Sequence, residues 1–302
     1  MDIAVFHDHE LAVALGALQE IYDSPRARQL CAGLAAAHGV ATPSPARVTS
    51  LVDAIPSARA RQRLLQLAII TALVDGAPER ATVSRVRALA RALGVRDPGV
   101  AVLGHVAAGR RRLARALMTR RIIGRFFLDA WRRAGLAGLR RIIAPLWFAR
   151  GSDPPVAWRY RALGLLPAGT LGHTLWAHCT ERRFSFPGEA GGIPEQLMFH
   201  DVGHILTGFN TEPDGEIQQG AFQAGFMRRD GFAILLFVVL QFHLGIKITP
   251  VADPEVGYFD VPKVMRALAA GGRCLDLSEG WRIWEDAGRP IAEVRHDYGI
   301  AA

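Results

Sequence analysis

The stretch Leu64 to Val95, LLQLAIITALVDGAPERATVSRVRALARALGV, decides the fold class of the first half of the chain. Leu64, Leu65, Leu67, Ala68, Ile69 and Ile70 form a compact apolar run. It stops at Asp75-Gly76 before Pro78, which is turn chemistry. Apolar residues then recur at helical spacing through Val83, Val86, Val95 and the Leu-Ala alternation between them, among arginines that keep the other face wet. The spacing predicts two helices joined by a tight turn. The same pattern extends outward from Leu11 to about Phe148, with Ala, Leu and Arg dominant and few β-branched runs. Further breaks are expected at Thr42–Pro45 and Asp97–Gly99.

In its apolar helix, Asp-Gly turn and following helix ending in Ala-Leu-Gly, Leu64–Val95 resembles the TerB-like helical family of tellurite-resistance proteins. Arg80, Ala81 and Thr82 occupy the place of that family's acidic cluster. The resemblance therefore implies a fold and no metal site there.

The chain has 302 residues, half of them hydrophobic, with a formal charge of +8. That charge is unevenly spread: residues 1–150 hold 23 Arg against 10 acidic residues, whereas 151–302 hold 13 basic against 18 acidic. Cys31, Cys179 and Cys274 are far apart without CxxC spacing, which argues against a thiolate zinc site or a disulfide scaffold. Met1-Asp2 followed by His7, Asp8, His9 and Glu10 is the wrong start for a secretory signal. The longest apolar run, Phe232–Leu240, is far short of the roughly 20 residues of a membrane span. The expected location is the cytoplasm, peripheral to the membrane.

Between His105 and Gly151, Arg110–Arg112, Arg120–Arg121, Arg132–Arg133 and Arg140–Arg141 alternate with Phe126, Phe127, Trp131, Trp147 and Phe148. Two readings stay open: a helical segment lying on an anionic membrane surface, or a helical hairpin with a solvated Arg face. Nucleic acid is not the expected partner. Gly151–Pro155 (GSDPP) has linker chemistry, so the expectation is an all-α protein of two helical domains, 1–151 and 156–302, the second with long Gly/Pro-rich loops.

The second half carries a dense polar constellation. Pro194 suits the first turn of a helix, and the run beginning there is PEQLMFHDVGHILTGF. At about 100° per residue, His204 lies about 40° round from His200, and Asp201 about 60° from His204, so all three share a face. Two imidazoles one turn apart can grip a divalent metal, while the carboxylate ligates or holds an imidazole in its useful tautomer. Gly203 and Gly208, read as part of the same helical run, weaken it and suggest a close approach to its backbone. Glu216 follows the Asp214-Gly215 turn.

His200-Asp201-x-x-His204, eleven residues, then Glu216 resembles the signature of the coenzyme Q (ubiquinone) biosynthesis protein 4 family. The segments LPAGTLG (Leu166–Gly172), TGFNT, GEIQQGAFQAGF and WRIWEDAGRPIAEVRHDYGI (Trp281–Ile300) are similar to that family's other stretches, so the resemblance covers about residues 156–302. It implies that His200, Asp201, His204 and Glu216 are both metal ligands and catalytic residues. The implied cofactor is one divalent ion, zinc, manganese, cobalt or ferrous iron. The implied activity is that of a metal-dependent decarboxylase: oxidative decarboxylation at ring carbon 1 of a polyprenylated 4-hydroxybenzoate, with dioxygen supplying the new oxygen. Partners would be the prenylated aromatic lipid, an anionic membrane surface and other quinone-biosynthesis proteins. A prenyl tail needs an apolar channel, for which Phe232, Leu236, Val239 and Phe242 are candidate walls, although a buried core helix explains the same run.

Two alternatives accompany this reading. One is a non-catalytic lipid-binding scaffold of a quinone-biosynthesis complex. The other is an HD-type phosphohydrolase, whose His-Asp doublet LMFHDVGHIL resembles; it requires His173 or His178, and Asp253 or Asp260, as further ligands. His7, His9, His38, His105, His243 and His296 are expected to have no role at the site, and Arg295 is expected to form a helix-end salt bridge.

Overall fold

The computed structural model describes residues 1, 3–40, 51–122, 124, 135–136, 153–249, 252–278 and 283–300. Among these the chain is all-α. The helices are α1 (Asp8–Ile21), α2 (Pro25–Ala37), α3 (Leu51–Ala54), α4 (Ala58–Thr71), α5 (Arg80–Ala92), α6 (Gly99–Ala107) and α7 (111–122). They continue with α8 (Pro154–Ala162), α9 (Leu171–Glu181), α10 (Phe199–Thr207), α11 (Pro213–Phe226), α12 (Gly231–Phe242), α13 (Val261–Arg273), α14 (Ile283–Asp286) and α15 (Ile291–Asp297). No strand occurs among the described residues; extended pairing is limited to isolated bridges at Thr170–Pro290 and Leu244–Val256. None of the described helices is long and apolar enough to cross a membrane.

Local chemistry sets the helix starts. Ser24 accepts the Ala27 N–H at 3.0 Å ahead of Pro25 at the first helical position, and Ser57 accepts from Ala60 at 3.3 Å. Each satisfies a backbone donor that the first turn leaves without a partner. The turn expected at Asp75–Pro78 separates α4 from α5, and the break at Asp97–Gly99 precedes α6. The break expected at Thr42–Pro45 lies outside the described residues, as do most of the Arg-aromatic stretch and the start of the linker at Gly151.

The chain divides into two compact units, each drawn from two segments: Met1–Arg121 with Thr211–Gly272, and Ile122–Asn210 with Arg273–Ala302.

In the first unit, α12 is apolar on nearly every side and is its interior helix; Phe232, Leu236 and Val239 are fully buried and Phe242 nearly so. It packs on α11. A β-carbon on Gly220 would fall 2.5 Å from a Val238 methyl, so α11 approaches α12 as closely as a glycine allows. The α11–α13 crossing is tighter still: a β-carbon on Gly271 would lie 2.0 Å from the Phe222 carbonyl oxygen, and one on Gly225 would lie 2.4 Å from that of Leu268.

Asp97 organises the polar part of this unit. Its carboxylate accepts from the Gly99 N–H at 2.7 Å, from the Gln62 and Gln66 amides at 2.9 and 3.0 Å, and from Arg121 at 2.8 Å. Arg121 also pairs with Asp230 at 2.6 Å, and its guanidinium carbon lies 5.2 Å from the centre of the Phe232 ring. Of the Arg pairs assigned to a membrane or solvent face, Arg121 is therefore a largely buried structural cation, while Arg120 is exposed.

In the second unit, Thr170 caps α9, and the segment 169–172 pairs with 287–291. Leu171 donates to Arg289 O at 2.9 Å, Gly172 to Ala287 O at 2.8 Å, and Ile291 to Gly169 O at 2.9 Å. Glu195, in the 3-10 turn Glu195–Leu197, accepts from the Tyr160 hydroxyl at 3.2 Å and from the Trp284 indole at 3.1 Å through one oxygen. These contacts fix the entry to α10.

Candidate metal centre

Residues 194–209 do not form one helix. Pro194 precedes the 3-10 turn, and α10 runs only from Phe199 to Thr207. Val202, Ile205 and Leu206 bury its apolar face in the second unit, which leaves His200 and Asp201 half-buried and His204 buried at 2% exposure. Gly208 is not a residue of the helix. It is the C-cap, with φ of 78° and ψ of 8°, the left-handed conformation that glycine adopts without penalty. The reversal brings the Phe209 carbonyl back over the helix end.

That carbonyl lies 3.0 Å from Nδ1 of His204. A carbonyl oxygen only accepts, so Nδ1 carries a proton and Nε2 of the neutral ring presents its lone pair. Nε2 of His204 is 3.3 Å from Nε2 of His200, with the rings near perpendicular at 81°. Were each nitrogen about 2.1 Å from a shared cation, this separation would correspond to an N–metal–N angle of roughly 104°, between the octahedral ~90° and the tetrahedral ~109°. The pair thus fits the spacing that a divalent ion requires.

The surroundings suit oxygen and nitrogen ligation. Burial, with the charge of Asp201 adding to it, pushes the Cys179 thiol up to about 12, so in the metal-free chain this cysteine is a protonated, buried thiol. Cys31, Cys179 and Cys274 are all free thiols.

Glu216 belongs to the first unit, where it stands half-buried in the first turn of α11, a position whose backbone dipoles favour a carboxylate. Its neighbour Asp214 is occupied by Lys263 at 2.8 Å. Phe232, Leu236, Val239 and Phe242 lie in the interior of α12.

Two contacts of this region were not anticipated. His178 on α9 is 7% exposed, and its ring centre lies 6.2 Å from that of His204 with the planes 23° apart; it belongs to the packing around the histidine pair. Arg295 forms no helix-end salt bridge with α10. It donates from Nε to Leu206 O at 2.8 Å and from Nη2 to Ile205 O at 2.9 Å, so it caps the C-terminus of that helix. Both join residues distant along the chain, and no local sequence pattern encodes either.

No family model and no curated protein matches the chain. Among solved structures, one from Nostoc punctiforme PCC 73102, of a protein named for ubiquinone biosynthesis, is similar at 17% identity and a TM-score of 0.34, covering 79% of this chain and 97% of that one.

Proposed function

We propose that His200, His204 and Glu216, with Asp201 as fourth ligand or as orienting carboxylate, hold one divalent cation, and that the chain uses it on a polyprenylated 4-hydroxybenzoate. The observation that supports this most directly is the pairing of two Nε2 atoms 3.3 Å apart, one of them fixed as a lone-pair donor by the Phe209 carbonyl. Two neutral imidazoles and two carboxylates balance a divalent charge. Zinc, manganese, cobalt and ferrous iron all suit such ligands.

In the proposed reaction the ring carboxylate leaves as carbon dioxide and a hydroxyl takes its place, with dioxygen as the two-electron oxidant and water as co-reactant, so that hydrogen peroxide is the second product. The bound cation would supply positive charge for the substrate carboxylate and for the charge that develops on the ring. His204 keeps its lone pair directed at the cation because its other nitrogen is committed to Phe209. Glu216 stands in the first turn of α11, where the helix dipole favours a carboxylate. Phe232, Leu236, Val239 and Phe242, the candidate walls for a prenyl tail, are packed in the interior of the first unit, so a buried core helix accounts for this run.

The HD-type ligand set is less well supported. Asp253 is an exposed partner of Lys247 at 2.9 Å, and Asp260 accepts the Lys263 N–H at 3.0 Å at the start of α13; each has a structural task.

The test is metal content of the purified chain by plasma mass spectrometry, beside a folded His200→Ala/His204→Ala variant. About one ion per chain, absent from the variant, supports the site, and carbon dioxide release from a prenylated 4-hydroxybenzoate then tests the reaction. A folded wild type that takes up no cation after reconstitution rejects both.

A further inference from the structure

We propose that Arg295 is a positioning residue for the cation site: by holding the last carbonyls of α10, it keeps the Phe209 carbonyl on His204 and so fixes which nitrogen of that imidazole faces the cation. This rests on the metal reading above. It adds a residue about 90 positions from the histidine pair that ligates nothing.

The chain of contacts is continuous within the second unit. Arg295 rises from α15, next to the fully buried Val294, and its guanidinium presents Nε and Nη2 to two successive carbonyls, Leu206 O and Ile205 O. These are among the four carbonyls that a helix C-terminus leaves without an intrahelical partner, and a cation there also meets the negative end of the helix dipole. One residue earlier, His204 O accepts the Gly208 N–H at 2.8 Å, which closes the left-handed cap. Thr207 Oγ1 donates to Gly203 O at 2.7 Å and receives the Phe209 N–H at 3.3 Å. The carbonyl of that same Phe209 receives Nδ1–H of His204. Release of Ile205 O and Leu206 O would let the last turn fray, and Phe209 would leave the imidazole. His204 could then rotate or place its proton on Nε2, the nitrogen that must be bare to ligate.

The planarity of arginine matters here. Two N–H groups in a rigid fork match two adjacent carbonyls, whereas an ammonium reaches them as a point charge with less geometric control. Arg289 provides the comparison: it pairs with Asp286 at 2.8 Å and with Asp297, and so ties α14 to the last residue of α15.

The experiment is a zinc titration of the full chain against a chromophoric chelator, for wild type, Arg295→Met, Arg295→Lys and Arg289→Met, each checked for folding by circular dichroism. Loss of the second partner of a ligating histidine weakens metal binding roughly 10- to 100-fold, and that is the expectation for Arg295→Met. Arg295→Lys should recover part of the loss, and Arg289→Met should bind within about threefold of wild type. Should Arg295→Met fail to fold, Arg295→Lys decides, by lying measurably below wild type. Wild-type binding in a folded Arg295→Met overturns the inference alone, as does an equal loss in Arg289→Met, which would mark general loosening of α15. A wild type that binds no zinc overturns the metal reading and this inference with it.

Discussion

Arg121 and Asp97 meet at 2.8 Å with the carboxylate side chain 2% exposed and the guanidinium 13% exposed. Three other N–H donors complete the shell of Asp97, from Gly99, Gln62 and Gln66. Removing Arg121 would leave a buried carboxylate with hydrogen bonds and no counter-charge. Arg121→Met should therefore destabilise the first unit by about 2–4 kcal/mol, toward the lower end for a broken buried pair because the remaining donors and Arg121's partial exposure temper the loss. Arg120→Met, on the exposed neighbour, should stay within ~0.5 kcal/mol of wild type. Urea unfolding of the three proteins checks the contrast, and equal midpoints would show that Arg121 behaves as a surface charge.

What could be read from the sequence divides by range. The helices were legible because their determinants are local: Ser24 before Pro25, the Asp75-Gly76 turn, and apolar residues at helical spacing. His200 and His204 were legible for the same reason, one turn being enough to place both on a face. Gly208 was placed inside the helix, although a Gly just past the last apolar residue is also a C-cap signal. The pairing of Arg121 with Asp230, 109 residues away, had no local trace, nor did Arg295 on α10. Interleaving of the two units is likewise decided by packing between distant segments, which composition and linker chemistry do not report.

The α11–α13 crossing yields a prediction with its own control. Gly271 and Gly272 are adjacent in α13, yet a β-carbon at 271 would meet the Phe222 carbonyl at 2.0 Å, while one at 272 would meet nothing within 4 Å. Backbone cannot yield as a flexible side chain does. Gly271→Ala should cost at least ~2–3 kcal/mol by overpacking, whereas Gly272→Ala should be neutral or gain up to ~1 kcal/mol from helix propensity. Thermal melts of the two variants should shift in opposite directions or by very different amounts; equal shifts would mean that α13 does not cross α11 this closely.

Acid should loosen the first unit through His243. Its Nδ1 accepts the Phe259 N–H at 3.3 Å, so the ring is neutral there, and burial, followed by the nearby charge of Arg26, holds its pKa below the ordinary 6.5; the backbones of Val74 and Leu73, and then Asp75, oppose this. With the folded value depressed, the unfolded chain binds the proton more readily. The stability owed to the neutral ring is complete above pH ~6.5 and declines as pH falls toward the folded value. His243→Asn, whose side-chain oxygen can take the same N–H without titrating, should flatten the pH dependence of the melting temperature as pH falls below about 6.5. An unchanged slope would assign the acid response to other groups.

The ligand assignment separates the two metal readings by single substitutions. Glu216→Gln removes a charge and one ligating oxygen while keeping the side chain's size, so cation affinity should fall by more than the roughly 10- to 100-fold seen for outer partners. Asp253→Asn and Asp260→Asn should leave affinity unchanged, because the first loses an ion pair to Lys247 on the surface and the second a cap on α13 that asparagine replaces. Zinc titration of the three variants gives the answer. The reverse pattern, with Glu216→Gln silent and an Asp253 or Asp260 variant unable to bind, would take the Glu216 ligand off α11 and favour hydrolytic over decarboxylating chemistry.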